Sequence, residues 1–443
     1  MRAFVIGLLL VLGFAVGVNA QEDRGWGPQG SNFTIGTNMG WLGYHHWGRD
    51  IDVRSLSPEW RTVFERTAEM GGSSVRIWLF EENEGIQFRD GQVSGLSSRF
   101  LQNVGLLINM AEENGVTIYW TFFDGNVVGR KRESVRIMNN TDGAGAAFEE
   151  TVLVPLLDVL TAKPAQLYGI DLVNEIYGAV RSDGRTGVFG SNEEAAWEKA
   201  RAFLGRTASF IHERAPGVRL TASAGHHTAM DDITGGRFDG LGLDFYDFHH
   251  YSDECPTVQM FRGLSAYARS QGKPIVLGEF GAQTHKKETS EFTTPEWGEL
   301  QADMAERLLM RAEAEGFAAA FIWSLEDTTD PEQGPYALYV NGEPVESVAR
   351  IRKFADNRVR LDRWRAGEDV APWNWDAEAV AVEIEPSRGI IDTLNGNSTA
   401  VTAESEERVQ LNDAAASPAP AVVEEEPTLR ASTRFALNQP LGR

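Results

Sequence analysis

The chain has one cysteine, Cys255, among 443 residues. No intramolecular disulfide can form, so stability must come from a large packed core. Basic residues are also scarce, with 41 Lys and Arg against 64 Asp and Glu and a formal net charge of −23. Such a surface repels nucleic acid and anionic membranes, which are excluded as partners, but it tolerates a neutral polysaccharide. No internal repeat is evident. The first candidate strand is not followed by a glycine-rich phosphate turn; the chain reads Asn38-Met39-Gly40-Trp41-Leu42-Gly43 there. That weakens an open, doubly wound nucleotide-binding sheet.

Long apolar runs are missing except at the start. Arg2, the apolar stretch Phe4 to Val18 and the small residues Val18-Asn19-Ala20 form a secretory signal pattern, and polar residues follow from Gln21 to Arg24. We read residues 1–20 as a cleaved signal peptide, which implies a secreted protein, extracellular or periplasmic, with no membrane segment after cleavage. Asn32-Phe33-Thr34, Asn139-Asn140-Thr141 and Asn397-Ser398-Thr399 are glycosylation sequons if the host is a eukaryote. Residues 376–443 carry 12 acidic residues, 5 arginines and no lysine, with one aromatic, Phe435. They read as an acidic, disordered tail, because so little apolar surface cannot offset chain entropy. Residues 21–375 remain as the folded domain.

Within that domain, short apolar runs alternate with longer amphipathic stretches. The candidate strands are Phe33–Asn38, Ser73–Leu79, Val116–Phe122, Leu167–Val173, Val218–Ser223, Asp244–Phe248, Pro274–Gly278 and Phe317–Trp323. Most are apolar throughout, as parallel strands covered on both faces should be. The candidate helices are Pro58–Met70, Phe100–Asn114, Phe148–Leu160, Asn192–Glu213, Thr257–Ser270 and Pro295–Glu315. Ser191-Asn192 followed by Glu193 and Glu194 is a helix start, and Asn114-Gly115 and Glu315-Gly316 are helix stops. Eight strands alternating with helices predict an α/β fold, a (β/α)8 TIM barrel.

In such a barrel the C-terminal ends of the strands converge on one mouth, where the chemistry sits. Two of those ends carry a glutamate: Glu175 in Ile170-Asp171-Leu172-Val173-Asn174-Glu175, and Glu279 in Leu277-Gly278-Glu279-Phe280-Gly281. Two carboxylates flanking a bond are the minimum equipment for cleaving a glycoside. The other ends supply Trp41 and Tyr44-His45-His46-Trp47, then Arg76, Trp78, Glu81 and Glu82, and then Asp124. Further along come Tyr177, His226-His227, His249-His250-Tyr251, and Trp323 with Glu326-Asp327. Aromatic faces stack on the C–H faces of sugar rings, while Asn, His and Tyr bond hydroxyls. Each residue taken singly has a plainer reading, as core filler, a paired structural carboxylate or a satisfied loop histidine. It is the convergence that favours a site.

Asn174-Glu175 after an apolar strand, Glu279 before Phe280-Gly281, Arg76 in Val75-Arg76-Ile77-Trp78, His249-His250-Tyr251 and Trp323 together resemble the clan A retaining glycoside hydrolases. The closest resemblance is to family 5, the cellulase and β-mannanase type, over residues 33–360. It implies that Glu175 is the general acid/base and Glu279 the nucleophile, and that Asn174 binds the sugar 2-hydroxyl. Arg76 and Tyr251 would hold Glu279 ionised, His249 would contact the sugar or the acid/base, and Trp323 would floor the cleavage site, with Trp41 and Trp78 among the substrate-binding aromatics. Two features depart from the family pattern. Ile176 stands where a proline often follows the Asn-Glu pair, and Asp124-Gly125-Asn126 stands where a histidine usually follows strand three.

The reading predicts a secreted enzyme that cleaves β-glycosidic bonds in a β-mannan or β-glucan poly- or oligosaccharide with retention of configuration. It calls for no cofactor and no metal. Glu175 should be protonated to donate, and Arg76 should lower the pKa of Glu279. Two other readings use the same barrel. One is a metal-dependent hydrolase built on His45, His46, His226, His249 and Asp327, although Tyr44-His45-His46-Trp47 lacks the His-x-His spacing usual after strand one. The other is a carbohydrate-binding barrel without turnover. The two glutamates would also support transfer of the sugar to an acceptor other than water.

Overall fold

A computed structural model of the chain describes residues 33–42, 57–181, 188–251, 258–282, 295–326 and 336–365. The expected signal peptide (1–20) and acidic tail (376–443), with Asn32, Asn397, Cys255, Tyr44 to Trp47 and Asp327, lie outside the described residues. All eight expected strands are present: β1 Thr34–Asn38, β2 Ser74–Trp78, β3 Thr117–Asp124, β4 Leu167–Asn174, β5, β6 Tyr246–His250, β7 Ile275–Phe280 and β8 Ala319–Ile322. β5 is split into Leu220–Thr221 and Ser223–Ala224. All ladders among these strands are parallel, and β1 pairs with both β2 and β8. The first half of β5 pairs with β4 and the second with β6, so the ring closes through the split strand. This is the (β/α)8 barrel.

Every residue of β1, β2 and β3 is buried, as expected of strands covered on both faces, and polar members such as Thr37, Arg76 and Thr121 are buried with them. Inside the ring, Tyr119 of β3, Tyr168 of β4, Phe245 just before β6 and Phe321 of β8 pack on one another, with ring centroids 5.3–6.4 Å apart. Rings from strands that are not neighbours can meet only in the barrel interior. This layer closes the barrel below the strand ends.

The helices follow the predicted pattern. Ser98–Glu113 stops at Asn114, with Gly115 at φ 66°, and Pro295–Ala314 stops before Gly316 at φ 82°. Both glycines hold the left-handed conformation that ends a helix, and in each case a strand follows. Asn192 caps Glu193–Arg214 by accepting from Ala195 N at 2.9 Å. The expected helix at Phe148–Leu160 instead begins at Ala144 and passes through a π-turn at Glu149–Leu153. Several elements go beyond the sequence reading, including short helices at Arg132–Met138 and Ala229–Thr234 and a two-stranded ladder of Tyr339–Val340 with Glu343–Pro344. A hairpin, Ile86–Arg89 with Gln92–Leu96, turns on Asp90-Gly91, both at positive φ. A polar helix, Glu346–Arg365, follows β8. Among the described residues no helix is long and apolar enough to cross a membrane. The sequon residue Asn139 donates its side-chain amide to the carbonyls of Val135 and Val188, at 3.0 and 2.8 Å.

Gly36 of β1 faces the aromatic layer, and a Cβ there would fall onto the ring of Phe321. We therefore expect Gly36→Ala to destabilise the barrel by roughly 1–3 kcal/mol through overpacking. In urea unfolding, Phe321→Leu in the same chain should recover part of that loss. A Gly36→Ala protein as stable as the parent would contradict this packing.

Candidate active site

Arg76 stands in the middle of β2 and is fully buried. A buried guanidinium must be surrounded by anions and acceptors, and this one is. Its Nη1 donates to Glu279 Oε1 at 2.5 Å and to Asn38 Oδ1 at 3.2 Å. Its Nη2 donates to Asp171 Oδ2 at 2.6 Å and to Asn174 Oδ1 at 2.7 Å. One cation thus ties together β1, β2, β4 and β7.

Glu279 lies near the end of β7, beside a register shift between Leu277 and Glu279 in its pairing with β6. Its second oxygen, Oε2, accepts from Tyr251 Oη at 2.9 Å. The Tyr251 phenol is pushed well above its ordinary pKa, first by burial of its hydroxyl and then by the charges of Glu279 and Glu175. It therefore stays protonated and donates its hydrogen to the carboxylate. Glu279 is gripped by a cation at one oxygen and by a hydroxyl at the other.

Glu175 is the first residue after β4 and sits at φ 44°, a left-handed conformation that is costly for a residue with a Cβ. A chain of bonds holds it there. Its N–H donates to Ser223 Oγ at 2.9 Å, and Ser223 donates from Oγ and N to the two oxygens of Asp171, at 3.0 and 3.1 Å. Its carboxylate accepts from His249 Nδ1 on Oε1 at 3.2 Å and from Asn126 Nδ2 on Oε2 at 2.8 Å. His226 Nε2 lies 3.4 Å from Oε2. A Cβ on Gly225 would fall on this carboxylate, so the bare backbone makes room for it.

His249 stands between the two glutamates, with Nδ1 also 3.5 Å from Glu279 Oε2. One atom each of Glu175, His249 and Glu279 lies within 4.8 Å of the others. Burial works against a charge on His249, but Glu279, Glu175 and Asp247 outweigh it and raise its pKa to about 9. Burial likewise pushes Glu175 up, yet the hydrogen bond and charge of His249, with His226 and Asn126, bring it down to about 2. The environment does not by itself favour a protonated Glu175: both shifts favour the ion pair, with Glu175 ionised beside a charged His249.

These groups line a cleft of about 810 Å³ together with Trp41, Trp78, Asn174, Trp323 and Tyr336. Trp41, Trp78 and Trp323 form one cluster, with ring centroids 5.1–5.9 Å apart. Trp41 is 2% exposed and Trp78 8%, so Trp41 lies mostly beneath its neighbours. The peptide bond from Trp323 to Ser324 is cis. Of the sequence-predicted residues, Glu175, Glu279, Asn174, His249, Tyr251, Trp41, Trp78 and Trp323 all line this cleft, and Arg76 lies directly behind it.

No family model matches the chain. A curated relative, mannan endo-1,4-β-mannosidase of Mytilus edulis, is 24% identical over 336 residues, which cover 67% of this chain and 84% of that protein. The solved β-mannanase of the blue mussel Mytilus edulis superposes with a TM-score of 0.51 at 22% identity, covering 66% of this chain and 86% of that one. The β-1,4-mannanase of the sea hare Aplysia kurodai gives 0.53 at 19% identity, over 74% and 92%. The endo-1,4-β-mannanase of Rhizomucor miehei gives 0.52 at 15% identity, over 74% and 94%. The superpositions establish the barrel, and the curated relative carries the resemblance into the sequence. The chain resembles the clan A glycoside hydrolases of family 5, of the β-mannanase type.

Set against the family 5 pattern, the two departures have structural counterparts. Ile176, in the proline's usual place, is buried and donates its N–H to Ser223 O at 3.2 Å, a bond that proline could not make. Asn126, near the missing histidine, bonds Glu175 directly. The supporting residues Asn38, Asp171, Ser223 and Gly225 escaped the sequence reading. Asp171 was legible as an acid inside an apolar strand, an expensive placement that needs a partner. Ser223 and Gly225 carried no such signal.

The Glu175–His249 pair predicts a pH dependence of stability. The pKa of His249 is raised above its ordinary 6.5, so its contribution is complete below about pH 6.5 and is lost as pH rises through about 9. Glu175 is lowered, so its contribution is present above about pH 4.5 and is lost as pH falls towards 2. Unfolding free energies from urea titrations should therefore fall between about pH 6.5 and 9, by on the order of 2–3 kcal/mol. In His249→Gln that decline should flatten. An unchanged slope in the variant would contradict the assignment.

Proposed function

We propose that the protein is a secreted, retaining β-glycoside hydrolase acting on a β-mannan-type polysaccharide or oligosaccharide, with export preceding loss of residues 1–20. The observation that carries the reading is the approach of Glu175, His249 and Glu279 to within 4.8 Å of one another. Carboxyl groups about 5–5.5 Å apart serve double displacement, whereas inverting pairs stand about 6.5–9.5 Å apart to admit water. The names of the relatives support mannan, and the acidic surface suits a neutral polymer.

The unequal surroundings of the two carboxylates support different roles for them. Glu279, held by Arg76 and Tyr251, attacks the anomeric carbon while the bond to the leaving sugar oxygen breaks and Glu175 supplies that oxygen's proton. The glycosyl ester on Glu279 is then opened by water, whose proton passes to Glu175. Asn174 presents one N–H to Asp124 Oδ1 at 3.0 Å and keeps its other N–H for a sugar hydroxyl. The proton that Glu175 delivers starts on His249. A sugar that displaces water from the cleft disfavours the separated charges of that pair and moves the proton to Glu175, leaving both partners neutral.

Purified protein should be assayed on mannan, cellulose, xylan and β-glucan, with proton NMR of the first product. The expected result is release of the β-anomer from mannan. Glu279→Gln should lower kcat by at least about 10³-fold while keeping the fold, because Asp171 and Asn174 still hold Arg76. First release of the α-anomer, binding without product, or a fully active Glu279→Gln enzyme would overturn the reading.

A further inference from the structure

Two side chains beside Glu175 have no part in the mechanism above. Asn126 donates Nδ2 to Glu175 Oε2 at 2.8 Å and to Asp124 Oδ1 at 3.3 Å. With both acceptors carboxylates, the amide nitrogen must face them, so its oxygen faces the other way. That oxygen meets His226 Nε2 at 2.9 Å. A carboxamide oxygen only accepts, so Nε2 carries the hydrogen. Burial lowers the pKa of His226, which outweighs the pull of Glu175 and keeps the ring neutral in the Nε2–H tautomer. The result is a directed chain, His226 to Asn126 to Glu175.

Both ends of the chain are built in. His226 sits at φ 64°, a left-handed conformation rarely adopted by side-chain-bearing residues, and its ring packs edge to face on Tyr177, centroids 5.8 Å apart. Asn126 follows Gly125, where a Cβ would strike the Glu175 carbonyl oxygen. The Asn126 backbone N–H is itself fixed on Asp124 Oδ1 at 3.0 Å. Oε1 of Glu175 belongs to His249, so this chain alone governs Oε2 among the described residues.

We propose that Asn126, braced by His226, is the positioning residue for Glu175, setting the orientation of its carboxyl group and the balance between its acid and base forms. The inference rests on Glu175 being the acid/base. A neutral donor on Oε2 stabilises the carboxylate that Glu175 becomes on giving up its proton, and so assists the step in which Glu175 protonates the leaving oxygen. It also fixes the direction from which the leaving oxygen is protonated. The charged and titratable groups around Glu175 are His249 from β6, Glu279 from β7, Asp124 from β3, Tyr251 after β6, and His226 with Arg181 near it.

The test compares two substrates of the sugar that the parent cleaves: an oligosaccharide, whose leaving group needs a proton, and its 2,4-dinitrophenyl glycoside, which needs none. For Asn126→Ala, kcat/KM should fall about 10–100-fold on the oligosaccharide and less than about threefold on the aryl glycoside. The alkaline limb of its pH profile should move to higher pH, because a donor to the carboxylate has been lost. His226→Ala should show the same pattern more weakly. His226→Gln, which keeps an N–H at similar reach, should restore it. Equal losses on both substrates, an unmoved alkaline limb, or no difference between His226→Ala and His226→Gln would overturn the proposal. A parent inert on every glycoside would instead overturn the hydrolase reading on which it rests.

Discussion

The site depends on one buried cation. Arg76 is fully buried in a barrel strand, and a charge in that position is tolerable only if anions and dipoles close around it. They come from separate strands: Glu279 from β7, Asp171 and Asn174 from β4, and Asn38 from β1. A requirement of stability thereby becomes a device for placement. Glu279 and Asn174, the neighbour of Glu175, are brought to one cleft because both satisfy the same guanidinium.

From that centre the two glutamates diverge in character. Glu279 is bonded by Arg76 and Tyr251, neither of which can take up a proton from it, with His249 Nδ1 farther off at 3.5 Å. Glu175 is bonded by His249, a group that can hand it a proton, and by the neutral amide of Asn126. Asp171 links the two halves, because it accepts from Arg76 and also from Ser223, which in turn holds the Glu175 backbone N–H. The strain at Glu175, φ 44°, is sustained by this network. Where the protein places its charges, more than the mere presence of two acids, separates a nucleophile from an acid/base.

Much of this was legible in the sequence, for physical reasons. Parallel strands buried on both faces announce themselves as apolar runs, and Gly115 and Gly316 marked two helix ends. A glutamate ending such a run has few plausible places except a strand rim, so Glu175 and Glu279 could be found without coordinates. The proton's resting place could not. It depends on His249 Nδ1 lying 3.2 Å from one carboxylate and 3.5 Å from the other, a distance relation across strands that no local pattern encodes. Asn126 was visible only as a departure from the family pattern. The Asp90-Gly91 hairpin had a readable turn signal, whereas in Glu346–Arg365 the stripe of Val348, Ile351, Phe354 and Ala355 is short and set in an otherwise polar segment.

The central claim is that Arg76 sets Glu279 apart as the nucleophile and leaves Glu175 as the acid/base. The most direct measurement is to trap the covalent intermediate with a 2-deoxy-2-fluoro glycoside of the cleaved sugar, bearing an activated leaving group, and to locate the label by peptide mass spectrometry. The account predicts a single label on the peptide containing Glu279, with Glu175 unmodified. A label on Glu175, or rapid turnover with inversion and no trapped species, would contradict it.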